Sequence, residues 1–195
     1  METFVWNRHF FTGIELVDSQ HRRLVEITNE LGEVMRTGDE MSEGRMQILF
    51  KELADYAREH FHDEEGVMRK AGVDARHVEA HVGHHHQFVE QLTSMWRART
   101  SMRHPAEVFH GFLSAWLTCH ILGEDQVMAR QMARIEAGES PEVAYELEKQ
   151  PPDNGTAVLL DALRNVFHLL AEQNRDLAEA HQRLLKEIAA HRDSQ

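Results

Sequence analysis

The 195-residue chain has one cysteine, four prolines, and no apolar run longer than a few residues. A single cysteine cannot close an internal disulfide, which excludes a disulfide-stapled scaffold. The apolar runs fall far short of the roughly 20 residues a bilayer span needs, so no membrane insertion is predicted. Basic residues are scarce, with 21 Lys+Arg against 33 Asp+Glu and a net charge of -12. Such a surface repels phosphate backbones, so no nucleic-acid partner is expected. The opening METFVWNRHF has no basic stretch leading into an apolar one. That predicts no secretory signal and a cytoplasmic location. No strand-type alternation is sustained anywhere. What the chain does have is 42% hydrophobic residues, nine methionines and 15 histidines. The first two suit a helical protein long enough to bury a core. The third is odd in an acidic chain, because histidine and carboxylate together are the ligand set of borderline metals.

Helical periodicity organises the sequence. An aromatic-rich arm over residues 1–17 carries Trp6, Phe10, Phe11 and Gly13. Asp18 and Ser19 are candidate caps for a first helix over 19–37, with the stripe Val17, His21, Leu24, Thr28, Leu31, Met35. Thr37-Gly38-Asp39 breaks it. A second helix, 41–69, carries Met46, Leu49, Leu53, Ala57, His60, Glu64 and Met68 on one face, and Gly72 ends it. A third, 74–99, carries Val78, His81, His85, Phe88, Leu92 and Met95. A fourth, 105–136, starts on Pro105 and carries Phe109, Leu113, Trp116, His120 and Val127. Four amphipathic helices with short connections predict an all-α, up-down-up-down four-helix bundle over residues 1–136.

After Gly138 the pattern changes. Ser140-Pro141-Glu142 caps a short helix to about Lys149, within a linker over 137–155 that includes Pro151-Pro152 and Asn154-Gly155. Residues 156–195 read as one long polar helix. In heptads, Leu163, Leu170, Leu177 and Leu184 occupy d, and Leu160, Phe167, Asn174, His181 and Ile188 occupy a. Leucine at d with one Asn at a is the pattern of a parallel two-stranded coiled coil, which predicts a homodimer through 156–192. The simpler alternative is an amphipathic helix packed back on the bundle.

Each bundle stripe is interrupted at its centre. His21 interrupts the first, His60 and Glu64 the second, His81 and His85 the third, and His120, followed by Asp125, the fourth. An imidazole or carboxylate facing a bundle core is costly unless it is hydrogen-bonded or metal-bound. One such histidine is ordinarily a satisfied core residue; four helices doing it together point to a shared centre. Residues four apart share a helix face, so both members of each pair can reach it. Five histidines and two carboxylates exceed the needs of one zinc or iron and fit two metals bridged by the carboxylates. Two choices stay open. His77/His81 has the same spacing as His81/His85, with His84 and His86 also surplus. Five residues from His120 to Asp125 overshoot an ideal helix, so either Glu124 replaces Asp125 or the helix widens near Gly123 in a π-bulge. A ferritin-like site would use Glu59…His62 and Glu107…His110, but both pairs read as polar-face residues. Cys119 reads as a small buried hydrophobe. Asp63 and Glu65 read either as supports of ligands or as solvated groups.

These pieces resemble the bacterial hemerythrins. Trp6, Thr12-Gly13-Ile14 and Val17-Asp18-Ser19-Gln20-His21 are similar to that family's tryptophan, T-G-I and D-x-Q-H signature. His60-Phe61-His62-Asp63-Glu64-Glu65 is similar to H-F-x-x-E-E, and His81 to Phe88 to H-x-x-x-H-x-x-F. Trp116-Leu117-Thr118-Cys119-His120-Ile121 to Asp125 is similar to W-L-x-x-H-I-x-x-x-D. The resemblance covers about residues 1–135 and leaves out the tail. It implies a cofactor of two iron ions, ferrous or ferric, with a bridging oxo or hydroxo group and O2 as ligand. It assigns His81, His85 and His120 to one iron and His21 and His60 to the other. Glu64 and Asp125 bridge, and the two-histidine iron keeps an open position. Leu117 and Ile121 would line the O2 pocket.

The heptad tail resembles helices that join bacterial hemerythrin sensors to an output domain such as a diguanylate cyclase. The expectation is therefore an O2-binding or redox sensory domain rather than an enzyme. Its ligand is O2 or another small diatomic or anionic species, and its signal passes through the 141–149 helix. Stand-alone O2 storage, carriage or iron binding is the first alternative. Peroxide or nitric oxide turnover is the second.

Overall fold

The computed structural model describes residues 3–37, 42–102, 104–149 and the single positions 180 and 183. All regular structure among the described residues is helical: α1 Glu15–Thr37, α2 Ser42–Ala71, α3 Ala75–Ala98, α4 Pro105–His120, α5 Gln126–Glu136 and α6 Pro141–Lys149. Short 3-10 turns lie at Arg8–Phe10 and Arg99–Ser101. The 38–41 break and every heptad position named in the tail lie outside the described residues.

The helix ends follow from local chemistry. Gly72, at φ +73, ends α2, and the Val73 amide donates back to the Met68 carbonyl at 3.1 Å. Gly138, at φ +100, ends α5 in the same way, with Glu139 N–H reaching the Arg134 carbonyl at 3.0 Å. Both need the left-handed conformation that glycine takes without a Cβ clash. Asp74 caps α3 by accepting from the Arg76 amide at 2.9 Å, and Pro105 opens α4. Ser140 Oγ lies 3.4 Å from the Val143 amide at the start of α6.

Two expectations are corrected here. The first helix starts at Glu15, four residues earlier than the cap reading placed it. Asp18 sits inside its first turn and accepts from Thr12 N–H (2.7 Å), Thr12 Oγ (2.9 Å) and Gly13 N–H (3.0 Å). An acid there complements the helix's positive end and ties the arm to it. The fourth helix widens near Gly123 as the His120–Asp125 spacing suggested, α4 and α5 joining through a π turn, Ile121–Asp125, but its effect on the core departs from the expectation. The extra residue shifts the inward face by one position. Met128 and Gln131 are buried beyond it, and Val127, the expected core residue, is only half-buried.

The helices form a four-membered bundle in which α1 packs on α2 and α4, and α2 packs on α3. Ring contacts from Phe88 to Phe112 and Trp116 tie α3 to α4. The main core includes Leu24, Ile27, Leu31, Leu53, Leu92, Phe109 and Leu113, all nearly inaccessible. Each contributes roughly 1.5–3 kcal/mol of burial. A second cluster of Met68, Val73 and Met128 closes the other end. The interrupted stripes meet in the layer between the two. Helix α6 lies against α5 with Ala144 fully buried. Glu148 accepts there from Arg130 Nε (2.6 Å) and Arg134 Nε (2.7 Å). Arg76, at the start of α3, reaches Glu146 at 2.7 Å and lies over the Tyr145 ring.

Candidate metal centre

His21, His60, Glu64, His81, His85, His120 and Asp125 all sit in that middle layer, each at most 4% exposed. Glu64 is the hub. Its Oε2 lies 3.2 Å from His81 Nε2, 3.3 Å from His85 Nε2, 3.9 Å from His60 Nε2 and 4.0 Å from His120 Nε2. His85 and His120 bring their Nε2 atoms within 3.1 Å of each other. Asp125 lies beside histidines from α1, α3 and α4. Its Oδ2 is 3.1 Å from His21 Nε2, and its Oδ1 is 3.1 Å from His120 Nε2 and 3.5 Å from His81 Nε2.

Two overlapping donor sets result: Glu64, His81, His85 and His120, and His21, His60 and Glu64. Each offers buried donor atoms close enough to hold one metal ion. Glu64 belongs to both, and the Asp125 oxygens lie beside histidines of both. The π turn makes this possible. It sends Asp125 inward to full burial and leaves Glu124 half-buried, 3.4 Å from His84. Asp125, not Glu124, is thus the carboxylate of this turn that faces the histidine cluster. His85 stands in the donor set with His81, and His77 does not.

The electrostatics show how strained this layer is. Burial pushes the His60 imidazole down to about 3, and lowers His21, His85 and His120 as well. For His81 burial also opposes charging, but the Glu64 hydrogen bond and nearby carboxylates prevail and raise it to about 8. Burial would raise Glu64 too, yet the surrounding histidines, His60 first, hold it well below the usual carboxylate range. Asp125 goes the other way, pushed well above that range by burial and then by the Glu64 charge. Several donor atoms here have no hydrogen bond at all: both His21 nitrogens, Glu64 Oε1 and both Asp125 oxygens. A buried polar atom in that condition costs about 1–3 kcal/mol. Imidazole and carboxylate donors converging in one buried layer, several of them without a hydrogen-bond partner, fit metal ligation.

A supporting layer surrounds the cluster. His60 Nδ1 meets Gln20 Oε1 at 3.1 Å, and Gln20 Nε2 donates to Asp63 at 2.8 Å. His85 Nδ1 meets Glu65 at 3.3 Å, and Arg69 holds the other Glu65 oxygen at 2.7 Å. Asp63 and Glu65 thus support histidines of the cluster. In the sequence Gln20 stands out only as a position of the D-x-Q-H motif; its support of His60 depends on the fold. Phe61 stacks on His85 at 3.9 Å and Trp116 on His120 at 4.3 Å. Leu117 and Ile121 are buried on either side of His120 along the chain. Cys119 is buried as expected.

The residues of the ferritin-like alternative divide. Glu59, His62 and Glu107 are exposed. His110 is not the polar-face residue it was expected to be. It is buried against α1, with Nε2 3.2 Å from Asn29 Oδ1. Among the surplus histidines His86 is exposed, His84 is half-buried and His77 is buried. No helix among the described residues is long and apolar enough to cross a membrane.

Comparison with known proteins follows the same geometry. The Hemerythrin family, described as the Hemerythrin HHE cation binding domain, matches residues 12–150. The matched span takes in α1 to α6, including the short helix that docks on α5. A bacteriohemerythrin of Stenotrophomonas maltophilia (strain R551-3) is 31% identical over 132 residues, 68% of this chain and 83% of that protein. One of Pseudomonas aeruginosa (strain LESB58) is 32% identical over 126 residues, 64% of this chain and 78% of that protein. One of Clostridium acetobutylicum is 26% identical over 126 residues, 63% of this chain and 96% of that protein. No solved structure matches.

Proposed function

The chain belongs to the Hemerythrin HHE family, and from that premise we propose that it is a di-iron, O2-binding sensory domain. His81, His85 and His120 would hold one iron, and His21 and His60 the other. Glu64 and Asp125 would bridge them. The observation that carries this reading is the double membership of Glu64, whose carboxylate lies within reach of both histidine sets. Three histidines against two would leave the second iron with a position free for a ligand. When bound, the iron pair supplies a reducing centre with that position open to O2.

The chain's own residues perform the rest. Gln20 and Glu65 orient His60 and His85 so that each Nε2 faces inward. Phe61 and Trp116 clamp the rings of His85 and His120. Leu117 and Ile121 would line the ligand pocket; they are apolar and offer no proton, which favours reversible binding over turnover. The fully buried layer keeps water from the centre, which slows irreversible oxidation.

The sensory role is supported by where α5 leads. Asp125 ends the π turn, α5 follows directly, and α6 is docked on α5 through Glu148. A change at Asp125 has a short mechanical path to the residues after 149. A binding event can act along it only if it stabilises one arrangement of that path over another. In this reading 1–136 is the sensor, 137–155 a linker and 156–195 a signalling helix. A parallel homodimer through 156–192, a cytoplasmic setting and an output domain such as a diguanylate cyclase complete the proposal.

The test is an optical spectrum with iron analysis. Two irons per chain are expected, with a charge-transfer band that bleaches on anaerobic reduction and returns in air. A protein that binds no iron, or a band that survives His60→Ala and Glu64→Ala, would refute the site. For the relay, crosslinking of the tail should differ between reduced and oxidised protein; identical patterns would rule it out.

A further inference from the structure

Two of the five inward imidazoles rest their outer nitrogen on a neighbouring side chain, His60 on Gln20 and His85 on Glu65. His81 does not. Its Nδ1 is buried and makes no hydrogen bond. One turn earlier on α3 lies His77, its ring centre 5.6 Å from that of His81. His77 is more than nine-tenths buried. Its Nδ1 meets the Gln131 amide nitrogen, from α5, at 3.1 Å. Gln131 is itself only 1% exposed. His77 Nε2 and Gln131 Oε1 both lack a hydrogen-bond partner.

Three unpaired buried polar atoms therefore occur on adjacent side chains. Their chemistry is complementary to one water molecule. With the Gln131 amide donating to His77 Nδ1, His77 carries its proton on Nε2. His81, with Nε2 turned to the centre, carries its proton on Nδ1. A water would accept from both rings and donate to Gln131 Oε1, making the three bonds typical of a buried water.

From this we infer that His77, held by Gln131, is a positioning residue for His81. Through one bridging water it fixes the His81 tautomer and ring orientation, as Gln20 and Glu65 do for His60 and His85. Partners of this kind commonly change metal affinity 10–100-fold. The inference rests on His81 holding iron, as proposed above. It also adds a tie between the three-histidine set and α5 that does not pass through Asp125.

The experiment loads the full chain with ferrous iron anaerobically and follows its loss to a ferrous chelator. The melting temperature of the iron-free protein is measured alongside. His77→Leu should weaken iron retention by about 10–100-fold at one of the two sites and leave the other close to wild type. His77→Gln keeps a donor and should recover most of that loss. Gln131→Leu should act in the same direction with a smaller effect. Wild-type retention in His77→Leu would overturn the inference. So would equal iron loss in His77→Leu and His77→Gln when both melt alike, since that is what a packing role predicts. If His77→Leu does not fold, Gln131→Leu decides, and unchanged retention there overturns it. A wild-type chain that takes up no iron defeats the di-iron reading itself; two irons with unaffected variants defeat only the role of His77.

Discussion

The two sides of the centre share Glu64 but are built differently. On the three-histidine side, His85 is backed directly by a carboxylate, Glu65, which Arg69 pins from behind. Aromatic plates, Phe61 and Trp116, lie flat on His85 and His120. On the two-histidine side, His60 reaches a carboxylate only through the amide of Gln20. His21 has no hydrogen bond on either nitrogen and lies beside Trp6 of the N-terminal arm, ring centres 6.2 Å apart. The same donor chemistry thus appears once in a braced setting and once in a sparse one. The difference teaches that support is set residue by residue: one histidine on each side is backed by a neighbouring side chain, while His81 Nδ1 and both His21 nitrogens have no hydrogen bond. The direct carboxylate backing and the stacked rings fall on the three-histidine side, and the proposed open position falls on the other.

The change with the largest expected effect removes what the two sides share. Glu64→Ala should take iron content from two per chain to less than one and abolish the charge-transfer band. Retention of either iron would mean that the sides are independent. Next comes His60→Ala, which should empty the two-histidine side and leave about one iron on the other. If both irons remain by elemental analysis, the assignment of sides is wrong.

Acid probes the comparison through protonation. Burial lowers His60 to about 3 and lowers His21, His85 and His120, so these rings resist protonation in the iron-free fold. The unfolded chain protonates them near 6.5, so it gains protons that the fold does not. Stability of the iron-free protein should therefore fall as pH drops below about 6.5, on through the acid range toward 3. His81, raised to about 8, works in the opposite sense: its contribution is present below about 6.5 and is lost through about 8. Melting temperatures taken between about pH 7 and pH 5 should decline, and a flat profile would show that the histidines are not buried neutral. Iron should leave in the same acid direction, because protons compete for the ligands.

Smaller effects distinguish the supports. Glu65→Leu should weaken iron retention by roughly tenfold or more, and Gln20→Leu by less, because a charged partner strengthens an imidazole ligand more than an amide does. The reverse order would invert the contrast between the sides. The smallest is Glu148→Gln at the α5–α6 contact. Its arginine partners are partly exposed, so a loss of at most about 1 kcal/mol is expected, with both irons retained. Loss of iron in that variant would show that α6 reaches the centre in the resting state.

Much of the site could be read from spacing, because residues four apart must share a helix face. His60/Glu64 followed from that rule; for the third helix the rule allowed His77/His81 as well as His81/His85, and the resemblance to the hemerythrin motif chose the latter. The π turn was one of two ways out of a conflict, since His120 and Asp125 cannot both face inward on a regular helix, and the resemblance to the family's His-to-Asp spacing favoured it over Glu124. Its consequence for the next turn was less visible, so Val127 was expected where Met128 sits. The first helix start was misjudged because Asp18 has a cap's chemistry but spends it on the arm, a contact set by how Thr12 and Gly13 fold back. His110 looked polar beside Glu107 and Arg103. Its burial depends on Asn29, 81 residues away in sequence, and periodicity on one helix carries no information about such a partner.

Residue order alone determined the helical class, the four stripes, the interruption of each by imidazole or carboxylate, and the charge that disfavours nucleic acid. These are local properties, set by spacing along one helix and by composition. Only the packed bundle decided which oxygens face which nitrogens, that Glu64 serves both histidine sets, and that His77 stands buried beside His81. Those facts depend on the rotation and depth of neighbouring helices, and a shift of one residue, such as the π turn makes, exchanges which side chains meet.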